Sequence, residues 1–365
     1  MGELLVRYVP PGIAWLLLFG WRGRVVEVRR LLFGLALSLT VLTPAGRQAI
    51  TWLSGSADLP WLAGHACLVL VAWSAQDLMT QLNGLPRRRW NVWWTVGMFA
   101  LMCLLYALAP DLRPQSPWVF GYWVVYVLTL TPAFGNVIRL CLRHARTTAD
   151  RAMSAGLHLV VAGTGLALVY LVNKVVLVAS GRFGFGYAPG ASFVVGAVAP
   201  NAAHLFVLLG VAVPAAAGWW RRYRQYARLR PLWHALSEAN PAITLTLRIG
   251  FWNTRMRLYR RVIEICDGLL DLQPYRDADI AGAARAGAAA AETVVEAAVI
   301  AAAITARARA ALPARAEEPV LGGLDLDSDT EYLCRVADAF RLSGGSAVAR
   351  GAGTTVAPQD ESPAR

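Results

Sequence analysis

The chain has 365 residues, of which 56% are hydrophobic, with a formal net charge of +12 and a mean hydropathy of +0.45. So apolar a composition excludes a disordered chain, and the crowding of apolar residues before Trp220 excludes an ordinary water-soluble one. The charge is almost all arginine, Lys174 being the sole lysine.

Seven apolar runs follow one another at about 4–21, 31–53, 59–79, 92–109, 118–142, 156–179 and 192–220. A bilayer core takes about 20 apolar residues per helix, so the pattern predicts seven transmembrane helices. The second run is the weakest, because Pro44 and Arg47 interrupt its outer third. The first lacks the basic start and small-residue cleavage pattern of a signal peptide and is read as a spanning helix.

Arginine distribution orients the chain. The first, third and fifth joints carry Arg22, Arg24, Arg29 and Arg30, then Arg87, Arg88 and Arg89, then Arg143, Arg146 and Arg151. The second, fourth and sixth carry only Arg47, Arg113 and Arg182. Arginine-rich loops stay in the cytoplasm, which predicts an outer N-terminus and an inner C-terminus. "RRYRQYARLR" after the seventh run falls on the inner side too. Its Arg221, Arg222, Arg224, Arg228 and Arg230 are candidate contacts for anionic lipid headgroups. The positive-inside pattern accounts for most of the charge, so nucleic acid is not an expected partner.

Beyond Trp220 the pattern becomes that of soluble helices. In "RLYRRVIEICDGLLDLQPY" Leu258, Val262, Ile265, Leu269 and Leu272 share one face. Arg257, Arg260, Arg261, Glu264, Asp267 and Asp271 are assigned to the solvated remainder. The alanine-rich stretch from Asp277 to Arg309 predicts one long soluble helix, since Arg285, Glu292 and Glu296 are too costly for an eighth span. "DLDSDTEYLCRVADAFR" predicts a third helix with Tyr332, Val336, Ala339 and Phe340 on its apolar face. Its acidic start fits a helix cap rather than a calcium loop, because Thr330 and Val336 replace the required glycine and glutamate. A further helix is expected over 231–238, and disorder from Ser343 onward. The predicted organisation is therefore an all-α membrane protein: a seven-helix transmembrane domain (1–220), a small cytoplasmic helical domain (221–342) and a disordered tail (343–365).

"LRPLWHAL", "RLYRRVIEICDGLLDLQPY", the alanine-rich stretch and "DLDSDTEYLCRVADAFR" carry a resemblance. The chain resembles actinobacterial multi-pass membrane proteins catalogued as transporters, which end in a helical domain of unknown function. The resemblance implies a plasma-membrane protein that moves a small solute, and it supplies no catalytic residues.

No zinc-protease, phosphate-loop or hydrolase motif occurs, and "GFGYAPG" at 184–190 reads as a loop. No cofactor or metal is expected, and the five cysteines read as reduced, small apolar residues. Polar residues inside the spans are the functional pointers, because burying them there is expensive. His65, Asn173, Lys174, Asn201 and His204 fall at similar depth in the outer halves of their runs, which predicts an outward-facing ligand pocket. Such a pocket suits a small-solute transporter, or a receptor-like sensor coupled to the cytoplasmic helices. A scaffold that binds a cytoplasmic protein is a third reading.

Overall fold

The computed structural model describes residues 2–20, 26–86, 89–109, 116–187, 189–245, 249–250, 253–286, 292–309 and 326–344. These residues form helices and no strand, and the chain divides into two compact units, Met1–Ala216 and Ala217–Arg365. The expected disordered tail lies, from residue 345, outside the described residues.

The first unit is built from α1 (Gly2–Gly20), α2 (Val26–Leu42), α3 (Pro44–Ser54), α4 (Leu59–Leu82), α5 (Arg89–Leu108), α6 (Pro117–Thr147) and α7 (Arg151–Phe183), with most of α8 (Pro189–Arg228). Local chemistry sets several ends. Asp150 accepts the backbone N–H groups of Ala152 and Met153 at the start of α7, and Gly184 closes that helix in a left-handed conformation (φ 74°). Helix α4 packs against α2, α5 and α6, while α6 also packs along α7. One core gathers Leu35, Val71, Leu78, Val137, Leu157 and Leu208, and a second gathers Met102, Tyr122, Tyr126, Leu130 and Leu171. The outward faces are apolar as well: Trp93, Val96, Leu104, Val172, Val198 and Leu205 are all exposed, as contact with lipid requires.

Five of these helices are long and apolar enough to cross a membrane: Leu59–Leu82, Arg89–Leu108, Pro117–Thr147, Arg151–Phe183 and Val194–Arg228. They mark the chain as a membrane protein. The second apolar run departs from the straight span expected of it, because Val28–Val41 and Pro44–Ser54 meet at 85°. Counted as one span, the pair makes six; the apolar part of α1, Tyr8–Phe19, is shorter. Proline has no N–H to continue α2, and the Thr43 hydroxyl accepts the Gly46 N–H at 3.0 Å to start α3. A Cβ at Gly46 would lie 2.1 Å from the Thr40 carbonyl oxygen, so only glycine fits this corner. Helix α3 buries no residue and leaves Trp52 and Leu53 exposed.

Small residues bring α7 and α8 together. A Cβ at Gly156 would lie 2.5 Å from the Gly210 carbonyl oxygen, and one at Gly163 would lie 2.8 Å from that of Ala203. Such backbone approach is the usual basis of helix association where lipid supplies no hydrophobic drive.

The second unit contains the end of α8, then α9 (Arg230–Ala239), α10 (Thr254–Asp271), α11 (Ala278–Ala286), α12 (Glu292–Ala308) and α13 (Leu326–Leu342), with short 3-10 turns at Pro241–Ile243 and Gln273–Tyr275. Its core joins Leu232 and Leu236 of α9, Ile265 and Leu269 of α10, Ile300 of α12 and Phe340 of α13. Each such side chain contributes about 1.5–3 kcal/mol by leaving water.

Two expectations are corrected here. The alanine-rich stretch is two helices, because Ala281 of α11 packs with Val295 and Val299 of α12. On one continuous helix Ala281 and Val295 would stand about 21 Å apart. Arg285 and Glu292 pair at 3.0 Å across the same fold-back, whose residues 287–291 lie outside the described set. The charged side of α10 is likewise not uniformly solvated: Arg261 and Glu264 are 8% and 2% exposed. The α13 face agrees in outline, with Leu333, Val336, Ala337 and Phe340 at its centre and Tyr332 and Ala339 half-buried beside them.

Candidate functional site

Arg257, Arg260, Arg261 and Glu264 stand at i, i+3, i+4 and i+7 in α10, so they share one face, beside the apolar stripe. That face meets Tyr226 from the last turns of α8 and Trp233 from α9. The Glu264 carboxylate accepts three hydrogen bonds, from Trp233 Nε1 at 2.7 Å, the Leu245 N–H at 2.9 Å and Arg260 Nε at 2.7 Å. Arg260 also donates to the Leu245 carbonyl. The Arg261 guanidinium donates to the Tyr226 carbonyl and hydroxyl, both at 2.9 Å, and lies 3.7 Å from the Tyr226 ring centre and 4.6 Å from that of Trp233. Arg257 donates to the same hydroxyl at 3.2 Å and covers the Tyr226 ring at 4.6 Å.

These groups enclose a cleft of about 240 Å³, closed in part by Ile249. Among the described residues, three guanidinium groups and one carboxylate line it. Burial pulls the Arg261 guanidinium below its usual range; Tyr226 and Glu264 offset part of that shift, while Arg257 and Arg230 add to it. Among the described residues the cleft thus joins arginine side chains to aromatic walls. Spacing in the sequence puts these charges on one face, but the expectation that they are solvated fails for Arg261 and Glu264.

The residues expected to form an outer pocket are distributed as follows. His65 Nδ1 lies 2.9 Å from the Tyr122 hydroxyl, and its ring centre lies 4.6, 5.2 and 4.3 Å from those of Trp61, Trp123 and Tyr126. Lys174 Nζ lies 6.0 Å from the Trp123 ring centre and 5.5 Å from that of Tyr170. His65 and Lys174 thus come together around Trp123, between the starts of α4 and α6 and the second half of α7. Asn173, adjacent in sequence, is engaged elsewhere: it accepts the Tyr187 hydroxyl at 2.6 Å and donates to the Ser192 carbonyl at 3.3 Å. His204 donates from Nδ1 to the Pro200 carbonyl of its own helix at 2.6 Å, and its buried Nε2 has no partner among the described residues. Asn201 is exposed on α8.

Of the arginines expected at lipid headgroups, Arg221, Arg224, Arg228 and Arg230 are exposed and Arg222 is half-buried. Arg224 lies over the Trp220 ring at 5.5 Å, and Arg222 Nε donates to the Thr254 hydroxyl at 3.5 Å. Arg228 bonds Asp338 of α13 at 3.0 Å, so its charge is engaged within the second unit. Two further features escaped the sequence reading: Asp77, a carboxylate 7% exposed within α4, and the buried pair Arg276–Glu296. Among the described residues no group of three or more His, Cys, Asp and Glu side chains is placed to hold a metal ion.

Residues 218–342 match a family of unknown function (DUF6545), and the match begins one residue inside the second compact unit. No curated protein and no solved structure matches the chain.

Proposed function

We propose that the chain is a receptor-like sensor of the plasma membrane, with seven helices crossing the bilayer, an outer N-terminus and the DUF6545-matching unit in the cytoplasm. The observation that carries this reading is α8. One unbroken helix of 40 residues bears Asn201 and His204 in its first half, and in its last turns Tyr226 and Arg228, which bond α10 and α13. In this reading a ligand event in the first unit reaches the second along the chain that joins them. The His65–Tyr122 pair, with Lys174 and its surrounding rings, is the candidate receiving site, because polar groups are expensive to bury among apolar helices.

Hydrogen exchange on the full chain in lipid nanodiscs tests the coupling. Lys174→Gln should change protection in α9 and α10; unchanged protection there defeats the sensor reading. Reporter fusions after Trp220 and near Ser116 test the orientation, and they should be active only as cytoplasmic and external fusions respectively.

A second reading, transport of a small solute, draws on the 85° break between α2 and α3. Discontinuous helices line the substrate sites of many transporters. Solute accumulation in vesicles that contain only this protein would favour it, whereas a sensor ligand stabilises the protein without crossing.

A further inference from the structure

Helix α3 leaves α2 at a corner that is braced rather than loose. The Thr43 hydroxyl donates to the Thr40 carbonyl at 2.7 Å and accepts the Gly46 N–H at 3.0 Å, and Gly46 sits so close to that carbonyl that no side chain would fit. Helical periodicity then divides α3 into two sides. Ala45, Ala49, Trp52 and Leu53 lie on one, and Arg47, Gln48, Thr51 and Ser54 on the other. Among the described residues nothing covers the apolar side, where Trp52 and Leu53 are 83% and 76% exposed. Gly46, in the middle of the apolar arc, faces the Thr40 carbonyl in the last turn of α2. The apolar side therefore looks back along α2, and the polar side looks away from it.

The depth of α3 follows from the packing of α2 on α4. Gly34 meets Leu70 and Val71, which stand at the midpoint of α4, a candidate span of 24 residues. Gly34 is thus at mid-depth, and Pro44 comes ten residues later, about 15 Å along the axis. That distance is half of a hydrocarbon core of about 30 Å, so the chain turns by 85° where the acyl chains give way to headgroups. We propose that α3 is an in-plane anchor whose partner is the lipid at this boundary. Ala49, Trp52 and Leu53 dip among the acyl chains, while Arg47 and Gln48 stay in water. Such a position satisfies both sides of an amphipathic helix at once, and tryptophan favours the headgroup level. The inference rests on the membrane character of the first unit and needs neither the sensor nor the transport reading, nor the orientation.

The experiment adds one cysteine to the full chain, as Gln48→Cys or Leu53→Cys, in vesicles of phosphatidylcholine and phosphatidylglycerol. Both positions are exposed in the protein itself, so any difference between them is made by lipid. A charged, membrane-impermeant maleimide is admitted to both vesicle faces by freeze–thaw, and the wild type, with its free cysteines, is the blank. Gln48→Cys should react at least about tenfold faster than Leu53→Cys, and the difference should vanish in denaturing detergent. Ser54→Cys and Ala49→Cys, on the polar and apolar sides, form a second pair with the same expected ranking, and they decide if either first variant fails to fold. Equally fast reaction on both sides would put α3 in water and overturn the proposal. Equal protection of both would put α3 inside the bilayer as a re-entrant segment and overturn it too, as would a reversed ranking.

Discussion

Replacing Arg276 by methionine removes one half of the buried ion pair that ties the chain between α10 and α11 to α12. Arg276 meets Glu296 through two parallel hydrogen bonds of 2.9 and 2.8 Å, with side chains 2% and 6% exposed. At such depth the pair's net worth is small, because desolvating two charges offsets most of their attraction. Breaking it is another matter: Arg276→Met strands the Glu296 carboxylate in the interior, at about 3–5 kcal/mol. Set against a domain stability of about 5–15 kcal/mol, one substitution should consume a large part of the total. The double variant Arg276→Met/Glu296→Leu removes both charges of the pair and should recover most of the loss, ending between neutral and about 1–4 kcal/mol more stable than the wild type. Pulse proteolysis of the full chain across a urea series, read on fragments of the second unit, gives all four corners of the cycle. A single variant costing under about 1 kcal/mol, or a double variant no better than the single, would refute the reasoning.

The other predictions use the same material. Ile265→Asp should unfold the second unit, since it sets a charge at a position with 0% exposure, whereas Arg260→Ala should cost about 1–3 kcal/mol by loosening the buried Glu264; urea midpoints rank the two. Gly156→Leu should force α7 from α8 and lower the yield of monodisperse protein in size-exclusion chromatography, and an unaltered profile would contradict the close approach to Gly210. Burial pushes the Cys334 thiol up from 9.0 to about 11, so alkylation of the folded protein at pH 8 should spare it. Because the folded value is the raised one, the stabilisation from burying that thiol is full below about pH 9 and fades as pH rises through about 11; urea midpoints measured on wild type and Cys334→Ala should converge across that window.

Much of the first unit follows from local rules. Apolar length and the prolines, glycines and aspartates at the joints place α4 to α8, and Pro44 marks the corner that bends the second run. The stripe Leu258, Val262, Ile265 and Leu269 likewise names the core side of α10, since helical periodicity is a property of the segment itself. The other side of α10 was beyond that rule. Periodicity separates charged from apolar faces but does not say whether a charged face meets water, and Glu264 is buried because its partners arrive from Trp233 and Leu245, 31 and 19 residues away. The same holds for Arg276 and Glu296, for Ala281 against Val295, and for the meeting of His65 with Lys174 around Trp123. A composition of alanines is compatible with one long helix or two folded back, and only burial of one against the other selects between them. Helix positions were thus settled by the sequence through interactions three or four residues apart, while the charged clefts and buried pairs were decided by packing between helices, where a partner's location depends on every turn between.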